Sequence, residues 1–234
     1  MDFKPGLRLL DLLDGHDEAP ALIEGARRLN RRDLRQAAQR AAHHLHALGL
    51  RRGDTLALWL PNGAAWLQML FACAELGVLV VPISTRYKLA EVRHLLEVSR
   101  ARMVVVPHRF LDQDYAAQAV ELQTQVPTLQ QQLVIEDPSS VFPLPDTQTP
   151  LPREGQGDDL LCCFSTSGTT GFPKLAAHGH HSIARHAWHV ARAFGLRPTD
   201  AMLCALPFYG VFGHIVVLST PAGGAGRGLQ PVFD

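Results

Sequence analysis

Apolar residues return at three- and four-residue intervals from Leu34 through Ala37, Ala38, Ala41 and Leu45 to Leu48, a single stripe that predicts a helix. Asn30 stands where an N-cap belongs, Asp33 falls in the first turn, where the helix dipole favours an acid, and Gly49 closes the helix. Upstream, Ala21–Leu29 alternate loosely around Gly25 and predict a short hairpin. Downstream, Gly53-Asp54 is a turn and Thr55–Leu60 a strand. Pro61-Asn62 leads into a helix over about Ala64–Leu76, stopped by Gly77. Val78–Ile83 is a continuous apolar run, the pattern of a strand covered on both faces. Leu89–Val98 predicts a helix and Arg102–Val106 another strand.

Strand and helix therefore alternate, which predicts an α/β fold: a parallel sheet with crossover helices. Residues 108–132, rich in Gln and Ala, are expected to be helical in part, and Leu133–Glu136 to be a strand. From Asp137 to Asp158 the chain carries Pro138, Pro143, Pro145, Pro150, Pro152, Gly155 and Gly157, the composition of an exposed connector. Asp159–Phe164 then reads as a short strand, Ser165–Lys174 as a loop, His181–Phe194 as a helix and Ala201–Leu206 as a strand. Pro207–Thr220 is expected to be a loop and helix. There is no internal repeat.

Composition changes this picture little. The chain has 234 residues, 47% hydrophobic and 19% charged, an ordinary globular balance. Lys+Arg and Asp+Glu are both 22, so the basic excess of a nucleic-acid binder is missing. Cys73, Cys162, Cys163 and Cys204 form no C-x-x-C pair and each lies in an apolar run, so they are expected to be buried, reduced thiols. Acids occupy the N-terminal stretch where a signal peptide would have its apolar core, and no apolar run is long enough to span a bilayer. The expectation is a cytoplasmic protein without a membrane span.

The candidate chemistry lies in Phe164–Lys174, FSTSGTTGFPK. Ser165, Thr166, Ser167, Thr169 and Thr170 supply hydroxyls, and Lys174 supplies a full positive charge. Gly168 and Gly171 let backbone N–H groups approach and converge on an anion. Together these predict a grip on phosphate oxygens. A Walker A loop is excluded, because it needs G-x-x-x-x-G-K-S/T, whereas Gly171 is followed by Phe172-Pro173-Lys174-Leu175. By composition alone a plain Ser/Thr/Gly hairpin between two strands is an equal alternative.

The ordered string S-T-S-G-T-T-G-x-P-K resembles the signature loop of the adenylate-forming (AMP-binding) superfamily: acyl-CoA synthetases, aryl-CoA ligases, luciferases and peptide-synthetase adenylation domains. The likeness extends along most of the chain. Leu60-Pro61-Asn62-Gly63 is similar to the family's L-x-N segment before a helix, and Leu76–Pro82 to its L-G-A/G-V-x-V-P strand. Leu206-Pro207-Phe208-Tyr209-Gly210-Val211-Phe212-Gly213 resembles its second substrate motif, P-L/F-F/H-H-x-x-G.

The resemblance implies a two-step reaction, in which a carboxylate attacks ATP to give an acyl-adenylate and a thiol, usually that of coenzyme A, takes the acyl group. Carried over by position, Thr166, Ser167, Gly168, Thr169, Thr170 and Gly171 wrap the β- and γ-phosphates and Lys174 pairs with them. Phe208, Tyr209, Gly210, Phe212 and Gly213 fall in the substrate pocket. The implied partners are a small carboxylic acid, ATP, Mg2+ and CoA, with no nucleic acid.

The chain departs from the pattern in three places. Leu175-Ala176 stand where the family usually has Gly-Val after the loop lysine. The family's common pocket histidine aligns with Gly210, which predicts room for a bulky or branched acid, unless a tight turn demands the glycine. The later motifs are not found: the Tyr-Gly-x-S/T-Glu segment with its Mg2+-binding Glu, the ribose Asp and the C-terminal Lys. Residues 1–234 are thus expected to be a partial N-terminal AMP-binding domain with its connector at about 137–158. The C-terminal part and small lid domain would be absent, and the large-domain sheet incomplete with an exposed edge. No residue here is assigned a catalytic or metal-binding role. A fragment, a truncated gene product and half of a split enzyme all remain open. So do a non-catalytic protein that at most binds nucleotide phosphates and an unrelated α/β nucleotide-binding domain.

The remaining histidines and tryptophans suggest no other chemistry. His178, His180, His181, His186 and His189 have spacings that could hold a metal, but no Cys, Asp or Glu lies near in sequence to complete a set. His43, His44 and His46 are expected on a solvated helix face, and Trp59 and Trp66 in the core. His214 fits a pocket wall or the core equally.

Overall fold

In the computed structural model, which describes residues 6–15, 17–144, 154–166, 173–224 and 226–229, the first apolar stripe is a helix, α1 (Arg31–Ala47). The Asn30 side chain accepts the Asp33 amide at 2.7 Å, meeting one of the orphan donors of the first turn. Leu34, Ala37, Ala38, Ala41 and Leu45 are buried. Ahead of α1, β1 (Pro20–Glu24) and β2 (Arg27–Asn30) form the hairpin around Gly25.

The alternation continues through β3 (Thr55–Leu58), α2 (Ala64–Leu76), β4 (Leu79–Pro82), α3 (Leu89–Ser99) and β5 (Met103–Pro107). Two short strands, β6 (Arg109–Phe110) and β7 (Gln113–Asp114), precede α4 (Tyr115–Gln125) and β8 (Gln131–Ile135). Beyond the connector come β9 (Leu160–Thr166), β10 (Lys174–Gly179) and α5 (His180–Ala193). The described chain closes with β11 (Ala201–Cys204), α6 (Val211–Ala222) and β12 (Gly226–Leu229).

The main sheet has six strands in the order β10-β9-β4-β3-β5-β8. From β9 to β8 every neighbouring pair is parallel, while β10 runs antiparallel to β9. Both faces are covered, which is why the strands read as unbroken apolar runs. Leu56, Leu58, Val80 and Val105 face the core under α1, α2, α5 and α6, and Ala57, Val81, Val104 and Val106 face α3 and α4. All thirteen residues of α2 are buried, so it shows no polar face. Gly77 at φ +69 ends it in a left-handed turn.

Local patterning did not anticipate a second sheet, β11-β12-β1-β2, in which β1 pairs parallel with β12 and Ile23 stands opposite Gly228. The connector is also more than exposed chain. Val141, Phe142 and Leu144 pack on the core. Gln68, the polar exception inside α2, has its Nε2 donating to Phe142 O at 3.1 Å and its Oε1 accepting from Phe142 N–H at 2.6 Å. A buried amide needs such partners, and the connector backbone supplies them. At the far end, any Cβ on Gly155 would collide with the Ala74 carbonyl oxygen. The predicted solvated face at His43, His44 and His46 is half-buried, with Phe142 lying 6.3 Å from the His44 ring.

Candidate functional site

The crossovers make a topological switch point between β3 and β4 at the carboxyl edge of the main sheet. β3 feeds α2 on one face, and its neighbour β4 feeds α3 on the other. Adjacent strands that send their helices to opposite faces leave an opening where open α/β sheets hold ligands. β9 lies beside β4 and parallel to it, so Ser165 and Thr166 arrive at the same edge.

The candidate phosphate loop is flanked by the antiparallel pair β9 and β10. The plain hairpin and the phosphate loop both call for such flanks. Thr166 and Lys174 are opposite partners at its mouth, with Thr166 Oγ1 donating to the Lys174 carbonyl at 3.4 Å. Both side chains are exposed. Ser167, Gly168, Thr169, Thr170 and Gly171 lie outside the described residues. The flanks are pinned from the β4–α3 side, where Tyr87 Oη and Ser165 Oγ share a hydrogen bond at 3.0 Å and His94 Nε2 sits 3.2 Å from the Pro173 carbonyl. Lys174 is exposed and forms no ion pair among the described residues.

The second motif lies against the end of β3. Asn62 Nδ2 donates to the Leu206 carbonyl at 3.0 Å, and Asn62 Oδ1 accepts from Phe208 N–H at 2.8 Å. The Phe208 ring is wholly buried, edge-on to Trp66 at 5.4 Å, so it packs as core. Tyr209 is half-buried and close enough to Tyr115 to add to the upward push that burial gives that phenol. Gly210 caps α6 at φ −91, an ordinary extended conformation, and a Cβ there would find its nearest neighbour 3.5 Å away. A tight turn therefore does not demand this glycine. Phe212 is 65% exposed, and Gly213 is packed so closely on the Pro207 carbonyl oxygen that a side chain would collide with it.

The two motifs meet through aromatic rings. His214, in the first turns of α6, stands edge-on to Phe164 at 4.9 Å and to Trp66 at 5.5 Å. His178 approaches the Phe164 ring at 5.6 Å. His214 is completely buried, and burial pushes its imidazole down to about 4, although the nearby Phe208 backbone works against this. It therefore belongs to the core. His180 is likewise pushed down to about 4 by burial, opposed by Asp159, while its Nδ1 accepts the Leu9 amide at 3.3 Å. Burial raises the Cys73, Cys162 and Cys163 thiols, which suits packing and not nucleophilic attack. Among the described residues no cluster of His, Cys, Asp and Glu could hold a metal ion.

Sequence reasoning missed Tyr87, His94 and the reach of Asn62. Only Asn62 carried a local signal, the L-P-N-G string, which marks a helix start and says nothing of partners far along the chain.

A family model described as "AMP-binding enzyme" matches residues 12–232. The chain belongs to the AMP-binding enzyme family. Among its relatives is a mitochondrial medium-chain acyl-CoA ligase of Danio rerio, 29% identical over 226 residues, covering 85% of this chain and 37% of that protein. A long-chain-fatty-acid–CoA ligase of Mycobacterium tuberculosis is 32% identical over 213 residues, covering 88% of this chain and 41% of that protein. The chain thus spans about 40% of the length of these AMP-binding relatives. Its fold matches the inhibitor-bound N-terminal domain of FACL13 from Mycobacterium tuberculosis with a TM-score of 0.76 at 25% identity, over 97% of this chain and 58% of that one. An anthranilate CoA ligase in complex with anthranoyl-AMP matches in fold with a TM-score of 0.82 at 23% identity, over 99% of this chain and 46% of that one.

Proposed function

We propose that this chain forms the N-terminal part of an ATP-dependent acid–thiol ligase. A carboxylate oxygen of the substrate attacks the α-phosphorus of ATP, the bond to the β-phosphate oxygen breaks, and acyl-adenylate and pyrophosphate form. The sulfur of a thiol, that of CoA, then attacks the acyl carbon and AMP leaves with the anhydride oxygen. The observation that carries this reading is the convergence of the S-T-S-G-T-T-G-x-P-K loop, through Ser165, Thr166 and Lys174, and the Leu206–Gly213 motif on one edge of the sheet.

Pyrophosphate leaves with negative charge, and donors fixed at its oxygens stabilise that charge. Thr166, Ser167, Gly168, Thr169, Thr170 and Gly171 supply hydroxyls and amides for this role, and Lys174 supplies the cation. Tyr209, Gly210 and Phe212 line the path of the acid, and the bare Gly210 leaves room for a bulky or branched one. Among the described residues no group of three or more His, Cys, Asp or Glu could hold a metal ion, and no step is assigned to metal-binding residues of this chain. Free, buried thiols support a reducing, cytoplasmic compartment. Among the described residues no helix is long and apolar enough to cross a membrane.

Removing the lysine tests the assignment. A charge-assisted hydrogen bond contributes roughly 1.5–3 kcal/mol, so Lys174→Ala in the full-length protein should slow acid-dependent ATP–pyrophosphate exchange about 10- to 150-fold. An exchange rate equal to wild type would refute the role of the loop. Tight ATP binding with no exchange for any acid would favour the alternative of a protein that holds nucleotide phosphates and catalyses nothing.

A further inference from the structure

We propose that Asn62 is a positioning residue that sets Leu206–Phe208, the strap leading into the proposed acid pocket at Tyr209–Phe212, against the sheet. The kinetic consequence rests on the proposed reaction, whereas the clamp itself does not. Asn62 lies just past β3, where the chain leaves the middle of the sheet for α2. Its amide reaches a segment 144 and 146 residues further on, donating to Leu206 O and accepting from Phe208 N–H. A primary amide donates and accepts from one rigid plane, which suits it to gripping a strap by two successive backbone groups.

The other ties on this segment act differently. Gly210 N–H returns to the Pro207 carbonyl and holds the turn within itself. The Phe208 ring is anchored on Trp66, but a ring contact tolerates rotation of the backbone that carries it. Among the described residues, the hydrogen bonds that tie the strap to the chain just past β3 are both made by Asn62. Tyr209, Gly210, Val211 and Phe212 follow directly, so their direction depends on that fixed base. A displacement of about an ångström in substrate-positioning groups can cost a hundredfold in rate without any reacting atom being touched. The two amide bonds therefore orient the acid pocket and leave the phosphate loop alone.

The test compares Asn62→Ala and Asn62→Asp with wild type in the full-length protein by acid-dependent ATP–pyrophosphate exchange. The Ala variant should raise KM for the acid about tenfold, the worth of two neutral hydrogen bonds, and leave KM for ATP within about twofold. A merely structural role would instead reduce the active fraction, lowering kcat with both KM values unchanged. The Asp variant separates the readings further. Its carboxylate can accept from Phe208 N–H but cannot donate to Leu206 O, whereas the protonated acid can do both. Relative to wild type, its acid KM should recover as the pH falls through the ordinary aspartate range towards about 4, and that of the Ala variant should not. An unchanged acid KM in Asn62→Ala, or a defect in Asn62→Asp that is flat with pH, would overturn the proposal.

If no carboxylic acid supports exchange in wild type, the reaction fails and the clamp is decided by amide hydrogen exchange on the 234-residue chain. Faster exchange at Phe208 N–H in Asn62→Ala then supports it, and unchanged protection overturns it.

Discussion

Gly210 and Gly213 belong to one motif, yet the backbone needs only one of them bare. Gly213 faces the Pro207 carbonyl oxygen, a backbone atom that cannot swing aside. Gly213→Ala should therefore cost about 2 kcal/mol despite the better helix propensity of alanine, read as a lower urea midpoint at unchanged m-value. Gly210 has an ordinary φ, and a Cβ there would make only an ordinary van der Waals contact, 3.5 Å from the Pro207 carbonyl oxygen. Gly210→His should fold as well as wild type and narrow the acids accepted in the exchange assay, with branched or bulky acids losing most. An identical substrate profile would show that the missing ring does not shape the pocket. At this scale the loop was legible in sequence because its glycines, hydroxyls and lysine are consecutive. Asn62 was not, because its partners Leu206 and Phe208 share no local pattern with it.

Among elements, α1 could be read from periodicity and caps and α2 from its boundary residues, since Asn30, Gly49 and Gly77 act within a turn of their own helices. The docking of α6 could not, because it depends on His214 entering the ring cluster of Phe164 and Trp66. That docking makes the fold sensitive to acid. A ring held neutral at about 4 in the fold, but free to charge near 6.5 when unfolded, lets the unfolded chain bind the extra proton. Its burial costs nothing above about pH 6.5, and stability is lost as the pH falls towards 4, at up to about 1.4 kcal/mol per pH unit. His180 adds a second loss over the same window. His214→Leu should flatten the fall by about one proton, measured as urea midpoints between pH 7 and about 4.5. An equally steep fall would mean that the ring already charges in the folded state.

The whole molecule shows an apolar corner where β11 turns into α6. Leu203, Leu206, Val211 and Phe212 are 64%, 39%, 54% and 65% exposed there. β11 is also an edge strand of the second sheet, so unpaired backbone lies beside this apolar surface. Contiguous exposed apolar surface drives association, and the 234-residue chain should sediment with rising mass at micromolar concentrations. Replacing Leu203 and Phe212 by Lys should reduce that trend, and a monodisperse monomer at every concentration would contradict it.

The second sheet also sets an order of events during synthesis. Ile23 stands opposite Gly228, so β1 meets its neighbour only after about two hundred further residues have left the ribosome. The last strand of the six-stranded sheet ends at Gly179, well before β12 exists. A two-stranded ribbon is marginal in water on its own. The nascent protein therefore matures back to front at this corner: the first hairpin made is among the last parts to become stable, and it is the segment that a chaperone or protease meets longest.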